Sequence, residues 1–284
     1  MNIENSNLQE EHTPVNNQLL KKYTKGVIIG AGNVAWHLAP ALEDAGLVIE
    51  SIYSRQRQRA QALADRLYGT EVREHLDFSD SEATLFILAV SDDAIEEVAQ
   101  QLVLPEEATV VHTSGSQPLR ILQKASTPYT GVFYPLQTFS RPRLPDFRTV
   151  PICLESDDSE VLVRLTKLAK KVSGHVALVN SAERQVLHVT AVFANNFVNH
   201  LLRMAETLAE EHQLDFSLLH PLIEETVVKA LEVSPALAQT GPAARSDETT
   251  IKRHTKQLRA FDPGYAKVYR VLTQHIQETM TNDD

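Results

Sequence analysis

The feature that most constrains the fold is an apolar run that passes directly into a glycine turn. Val27–Ile29 are β-branched without alternation, as in a parallel strand covered on both faces. A glycine allows the turn that follows, a second lets a phosphate approach the N-terminus of a helix, and a small third residue lets that helix pack on the strand. This G-x-G-x-x-A pattern predicts a dinucleotide site, the alternative being a purely structural turn. The residues of this stretch predicted to bind the cofactor are Gly30, Ala31, Gly32, Asn33, Val34 and Ala35.

Buried-strand and helix patterns alternate over residues 24–180, which predicts an α/β fold with a doubly wound, mainly parallel sheet. The predicted strands are Val27–Ile29, Val48–Tyr53, Thr84–Val90, Ala108–His112, Thr130–Tyr134, Val150–Leu154 and Val176–Val179. Strand patterns then cease, and helices are predicted over 181–212, 215–232, 246–259 and 263–280. We therefore expect an all-α C-terminal domain over 181–284 and, before the sheet, a flexible polar extension over 1–23.

Composition excludes several classes of function. A formal charge of −10 over 284 residues argues against binding to nucleic acid or anionic membranes. The one cysteine, Cys153, excludes an internal disulfide and a cysteine-based metal cluster, so no metal is expected. The sequence has neither an apolar run long enough to span a bilayer nor the basic-then-apolar start of a signal peptide. We expect a cytoplasmic protein.

The second predicted strand decides between NAD and NADP, because an acid at its end binds the ribose 2′-hydroxyl and a basic residue accommodates a 2′-phosphate. Glu50 lies twenty residues after the first glycine of the turn, which is the nominal spacing for the acid. The strand pattern continues beyond it, however, so Ser54 and Arg55 form the strand tip, with Ser54 as the predicted cap of the next helix. A hydroxyl and a guanidinium suit a phosphate monoester and predict NADP. Arg59 is interpreted as part of a solvated helix face.

Ligands in such folds bind beyond the carboxyl ends of the strands, so the residues that follow each strand are site candidates. Val90, Ser91 and Asp92 follow one strand and are predicted to lie along the cofactor, with Asp92 interpreted mainly as a helix cap. His112 ends the next strand, near the expected nicotinamide, where it either contacts substrate or closes the strand with a hydrogen bond. Tyr134 ends the strand after that.

A polar face on the first predicted helix of the C-terminal domain supplies further candidates. Arg184, His188 and Asn195 recur at helical spacing, and Asn196 and Asn199 flank them. Buried amides need partners, which a substrate, a nicotinamide carboxamide or a structural network between helices can provide. The polar loop over residues 239–247 either binds substrate or lines a subunit contact.

Together these motifs resemble a Rossmann-like oxidoreductase family whose C-terminal half is domain of unknown function 2520. The resemblance covers most of residues 25–280, and the family is similar to deazaflavin-dependent NADP oxidoreductase, pyrroline-5-carboxylate reductase, ketopantoate reductase and β-hydroxyacid dehydrogenases. The segments that carry it are Gly30–Ala35, His112–Gly115, Tyr134–Phe139, His188–Asn196 and Gln239–Asp247. The resemblance implies an NADP-binding domain and a helical domain that forms a homodimer.

The resemblance also directs attention to one helix position. In ketopantoate reductase and the β-hydroxyacid dehydrogenases a lysine on this helix donates the proton, whereas here the region holds Arg184 and His188. Histidine titrates near neutrality, so His188 is the predicted general acid and Tyr134 a weaker candidate. We predict an NADP-dependent oxidoreductase that reduces a C=O or C=N carbon of a small polar metabolite, with His112, His188 and Asn195 positioning and protonating the substrate. The alternative is a non-catalytic NADP(H)-binding sensor or regulatory protein.

Overall fold

The computed structural model describes residues 23–280, and these form one sheet and two groups of helices. The sheet has eight strands in the order β3-β2-β1-β4-β5-β6-β7-β8. β1 to β6 are parallel to one another, whereas β7 is antiparallel to β6 and parallel to β8. The strands are β1 Lys25–Ile29, β2 Val48–Tyr53, β3 Glu71–Arg73, β4 Leu85–Leu88, β5 Thr109–His112, β6 Thr130–Pro135, β7 Ile152–Glu155 and β8 Val176–Leu178.

Helices cover both faces of this sheet, which explains the uninterrupted apolar strand patterns. Ile28 belongs to one core with Leu38 and Leu165, while Val27 and Ile95 belong to a second core. Successive strand residues point to opposite faces, so a strand covered twice is apolar at every position. The helices of this part are α1 Asn33–Asp44, α2 Arg57–Ala64, α3 Ile95–Gln101, α4 Ser159–Val172 and α5 Ser181–Ala191. The predicted doubly wound, mainly parallel α/β fold is confirmed.

The second part of the structure is helical. The long helix predicted over 181–212 is divided, because the π-helical turn Val192–Phe197 separates α5 from the next helix. The remaining helices are α6 Val198–Glu211, α7 His220–Val233, α8 Pro235–Ala238, α9 Glu248–Phe261 and α10 Pro263–Met280. Among residues 23–280, no helix combines the length and the apolar character that crossing a membrane requires.

The division between the two compact units falls after Val192, whereas the sequence places it after Asn180. The difference has a physical reason, because α5 is attached to the first unit through the fully buried side chain of Arg184. The predicted extension over 1–23 lies outside the described residues except for Tyr23. That side chain is buried, and its hydroxyl donates to Thr109 Oγ1 at 3.1 Å, so Tyr23 packs with the first unit.

Candidate functional site

A cleft of about 330 Å³ opens at the carboxyl ends of β1, β2 and β4. This is the sheet edge at which ligands bind in doubly wound folds. Of the residues predicted to bind cofactor, the cleft is lined by Gly30, Ala31, Gly32, Ser54, Arg55, Val90 and Ser91. The structure therefore brings together residues from three separate strand ends, as the sequence predicts.

Two glycines shape this cleft in different ways. Gly30 has φ +116°, and an added Cβ would lie 2.2 Å from the carbonyl oxygen of Ala89, so a side chain fits neither the backbone nor the space. Gly32 is the N-cap of α1, and an added Cβ there would meet nothing within 4 Å. The first turn of α1 has no acidic residue and no side-chain cap. Its backbone N–H groups thus face open space and suit a diphosphate.

The next three residues of the motif do not line the cleft. The Asn33 side chain donates from Nδ2 to the carbonyl oxygen of Phe139 at 3.0 Å. Val34 packs partly buried against the core, and Ala35 is fully buried. Their side chains therefore hold α1 in place, and of these residues only the backbone N–H groups are left to meet a diphosphate, so their cofactor role stays a prediction.

The tip of β2 has the predicted residues but not the predicted cap. β2 continues to Tyr53, so Glu50 lies inside the strand, where it accepts a hydrogen bond from Ser81 Oγ at 2.5 Å. The N-cap of α2 is Gln56 rather than Ser54, whose Oγ instead accepts from the Gln56 N–H at 3.3 Å. An acid is thus absent from the tip and Arg55 is present.

The arginines after this tip divide into two groups. Arg57 forms an ion pair with Glu74, which engages its guanidinium away from the cleft. Arg59 lines the cleft together with Arg55. From the sequence, Arg59 was interpreted only as part of a solvent-exposed helix face. Arg59 lies two residues into α2, and the helix turn returns its side chain to the same side as the strand tip. Two guanidinium groups are therefore available to an anionic ligand.

A second polar group lies at the carboxyl end of β6. The Tyr134 hydroxyl is 3.4 Å from Nδ1 of His188, and the two rings meet edge to face with centroids 6.3 Å apart. Gly115 lies against both, since an added Cβ would be 2.6 Å from His188 Nδ1 and 2.7 Å from Tyr134 Cζ. We refer to Tyr134 and His188 as the acid pair. Only glycine at position 115 leaves room for it.

Burial favours the protonated form of the Tyr134 phenol. Desolvation, the largest cause, raises the pKa of Tyr134 to about 12, with Cys153 adding to the effect. The phenol therefore keeps its proton throughout the neutral range. A protonated hydroxyl beside an imidazole can donate a proton to a substrate and receive another from the ring.

Comparison with known proteins agrees with this geometry. Residues 11–133 match a Rossmann-like domain, and residues 150–276 match the domain of unknown function DUF2520. A proposed NADP oxidoreductase from Bacteroides fragilis is 39% identical, with 90% of this chain and 98% of that chain covered and a TM-score of 0.83. The chain belongs to the DUF2520 family of Rossmann-like proteins. The predicted family is confirmed.

More distant structures share the fold of this DUF2520 protein. One is a protein from Thermotoga maritima, with 22% identity, coverage of 91% and 99% of the two chains and a TM-score of 0.64. Another is a reductive aminase from Aspergillus terreus in complex with NADPH and ethyl-5-oxohexanoate, with 15% identity, coverage of 89% and 93% and a TM-score of 0.66. No match was found among curated proteins.

Arg184 anchors α5 in this DUF2520 protein and is not a member of the acid pair. Its guanidinium is fully buried, forms an ion pair with Glu155 and donates to the carbonyl oxygen of Gln117 at 2.5 Å. Glu155 also accepts hydrogen bonds from the backbone N–H and the hydroxyl of Ser181. The network fixes α5 one turn before His188. Sequence analysis missed Glu155, which is an ordinary acid at a strand end.

Two other predicted residues have different roles from those expected. His112 is fully buried, and its Nδ1 accepts from the Ser114 N–H at 3.1 Å. Burial, and next the charge of Arg184, lower its pKa to about 3, so the ring is neutral and cannot donate a proton as an imidazolium. Asp92 caps no helix through its side chain, which instead accepts from Ser116 Oγ at 2.5 Å and joins the turns after β4 and β5.

Asn195 lies in the π-helical turn that begins at Val192. A π turn holds more residues than an α turn, so the 3.6-residue spacing behind the predicted face of Arg184, His188 and Asn195 does not continue through it. In the polar loop over 239–247, Asp247 accepts from the Thr250 N–H at 3.0 Å and caps α9. That aspartate therefore has a structural role.

Proposed function

We propose that this DUF2520 protein is an NADP(H)-dependent oxidoreductase that transfers a hydride between nicotinamide and a C=O or C=N carbon of a small polar metabolite. The observation that carries the proposal is the cleft, in which an open helix N-terminus and two arginines face the same space. A diphosphate at the first and a 2′-phosphate at the second would each meet donors suited to phosphate.

The cofactor is NADP(H). Arg55 and Arg59 supply positive charge after β2, where an acid would favour NAD. The acid at the nominal spacing, Glu50, lies inside β2 and not at its tip. The name of the Bacteroides relative includes the same cofactor, and the Aspergillus reductive aminase was determined with NADPH. The sequence-based prediction of NADP is thus supported by both the cleft and the relatives.

The acid pair provides the proton. When bound, NADPH supplies the hydride that reduces the substrate carbon. The Tyr134 hydroxyl, kept protonated by burial, donates its proton to the substrate oxygen or nitrogen as that atom gains charge. His188, the general acid predicted from sequence, then acts through Tyr134, because its ring is half-buried and within 3.4 Å of the hydroxyl. The substrate-positioning role of Asn195 stays a prediction.

The second unit is proposed to form a homodimer. Large apolar side chains on α6 and α7 are exposed, among them Leu222 at 63% and Leu231 at 82%. Within the described part of this unit, the buried residues are limited to Ala209, Ala266 and Thr273. Helices with so little core of their own need another surface to cover their apolar faces, and a second copy would supply it. The cytoplasmic location also stays a prediction.

The alternative, a non-catalytic NADP(H) sensor, is favoured by one observation. In similar dehydrogenases a lysine on this helix donates the proton, and α5 contains no lysine. Arg184, which lies in that region, forms an ion pair with Glu155. A sensor would bind NADPH in the same cleft without oxidising it. Turnover therefore separates the two functions.

The test is NADPH oxidation in the presence of a panel of keto acids and cyclic imines, with Tyr134→Phe as the diagnostic variant. We expect kcat for any accepted substrate to fall about 100-fold, since a positioned general acid contributes about that much. The NADPH dissociation constant should be unchanged. Tyr129→Phe, which removes a hydroxyl immediately before β6, is the matched control and should retain full rate.

Two outcomes would reject parts of the proposal. Full activity in Tyr134→Phe would remove the acid pair from the mechanism and leave the cofactor assignment intact. Tight NADPH binding with no turnover of any compound in the panel would favour the sensor.

A further inference from the structure

The segment that follows β6 lies on the first two turns of α1. Phe139 accepts a hydrogen bond from the side chain of Asn33, and the carbonyl oxygen of Ser140 is 3.0 Å from Nε2 of His37. The His37 ring also stacks on Phe139, with centroids 5.3 Å apart. Three contacts of different kinds therefore fix this segment beside the glycine turn.

This arrangement brings Arg141 to the turn itself. Its Nη2 donates to the carbonyl oxygen of Ala31 at 3.2 Å, and its guanidinium carbon lies 4.5 Å from the ring centroid of Trp36. The guanidinium carbon of Arg66 also lies over the Trp36 ring, 4.2 Å from its centroid. The Arg141 guanidinium is held by one carbonyl and one ring face, which leaves most of its five N–H donors free for another partner.

The charge at this position has no ion-pair partner among the residues that the structure describes. Arg141 forms no ion pair with any carboxylate of residues 23–280, and the first turn of α1 has no acidic residue. The N-terminus of a helix carries partial positive charge, so a cation beside it is unfavourable unless an anion lies between them. A guanidinium is held here despite that repulsion. An anionic group at the turn would interact favourably with both the Arg141 guanidinium and the N-terminus of α1.

We propose that Arg141 binds the diphosphate of the dinucleotide, opposite the N–H groups of α1. The inference rests on the proposed function and adds a ligand that the glycine motif does not contain. The diphosphate is the better partner than the 2′-phosphate, because Arg141 contacts Ala31 in the turn whereas Arg55 follows β2. A guanidinium can donate two parallel hydrogen bonds to one phosphate. The segment after β6 thus closes the diphosphate site from the side opposite β2.

The test compares three ligands by calorimetry or nicotinamide fluorescence: NADPH, NADH and 2′-AMP, which has the 2′-phosphate but no diphosphate. Arg141→Gln should weaken NADPH and NADH by the same factor, about tenfold to hundredfold, and leave 2′-AMP unchanged. Arg55→Gln should give the opposite pattern, with NADPH and 2′-AMP weakened and NADH unchanged. Arg143→Gln, an exposed arginine two residues away in the same segment, is the matched control and should match the parent for all three ligands.

Thermal unfolding without ligand separates binding from structural support. The contact of Arg141 with the Trp36 ring is stabilising, whereas its position at the N-terminus of α1 is destabilising, so the two effects offset each other. Arg141→Gln should therefore unfold at nearly the parent temperature, and added NADPH should raise its unfolding temperature less than that of the parent. Arg141→Lys, which keeps the charge, serves as the second variant and should bind NADPH between the parent and Arg141→Gln. Parental NADPH affinity in Arg141→Gln overturns the inference. Equal weakening of 2′-AMP, with an earlier unfolding transition, also overturns it. Failure of the parent chain to bind any dinucleotide would instead overturn the proposed function.

Discussion

The dinucleotide cleft and the acid pair lie at the same edge of the sheet, yet the first is formed mainly by backbone and the second by side chains. The cleft depends on backbone, namely a glycine turn, a helix N-terminus and strand ends. The acid pair depends on side chains from three distant segments, with Tyr134 on β6, His188 on α5 and Gly115 beneath them. α5 is in turn held by the buried pair Arg184–Glu155.

The difference teaches where each region is vulnerable. A backbone site fails when a side chain intrudes, and its failure is local. A side-chain site fails when a distant support is lost, because the spacing of its groups depends on how an entire helix is docked. Variants that affect one region and spare the other would sharpen this contrast.

The largest expected effect is on the support of the acid pair. Arg184→Met would leave the Glu155 carboxylate, which is only 15% exposed, without its counter-ion, and we expect this to cost about 3–5 kcal/mol of unfolding free energy. Chemical denaturation measures this loss, while the NADPH affinity of the folded fraction should be retained. In Glu155→Gln/Arg184→Met no charge is left unpaired and Ser181 keeps an acceptor, so much of the stability should return. A double variant as unstable as Arg184→Met would show that the ion pair is not the support.

The next effect concerns the backbone of the cleft. Gly30→Ala would place a Cβ 2.2 Å from the Ala89 carbonyl oxygen at φ +116°, and we expect a loss of about 3 kcal/mol in stability together with loss of NADPH binding. Gly32→Ala is the matched comparison, because its Cβ meets no protein atom within 4 Å. That variant should fold with parental stability and still bind NADPH weakly. Equal stability of the two variants would contradict the geometry at Gly30.

The smallest effect is a pH dependence near the acid pair. The folded pKa of His112 is about 3, below its ordinary value of 6.5, so between these values the unfolded chain binds a proton that the folded chain does not. The stabilisation is therefore complete above pH 6.5 and is lost as the pH falls toward 3. We expect about 2 kcal/mol less stability at pH 4.5 than at pH 6.5 from this residue. In His112→Asn, the loss of unfolding free energy between pH 6.5 and pH 4.5 should be smaller by about that amount. An unchanged loss would show that another group is responsible for the pH dependence.

The sequence predicted the backbone-built region well, because each of its parts is local. The run Val27–Ile29 has to be a strand covered twice, and the turn that follows has the spacing of a dinucleotide motif. Arg55 was found because the strand pattern ran past Glu50. The short edge strand β3 was missed, since Glu71–Arg73 has two charged residues and no apolar run.

The side-chain-built region was predicted only as a set of candidates. His188 was identified, but its contact with Tyr134 spans 54 residues, and the bond from Arg141 to Ala31 spans 110. Partners so far apart leave no periodic signal in one sequence. The role of Asp92 was misjudged and that of Arg184 was left open for the same reason, since each depends on a distant partner, Ser116 or Glu155.

The reversed direction of β7 determines how far along α5 the Arg184–Glu155 ion pair lies from the contact between His188 and Tyr134. Because β7 is antiparallel to β6, Glu155 lies beside Val132 near the start of β6, and β8 ends at that same level. α5 therefore rises alongside β6 and reaches Tyr134 one turn after Arg184. A residue inserted within that turn would rotate His188 by about 100° away from Tyr134. Changes of length within this turn of α5 should therefore not be tolerated in the DUF2520 family.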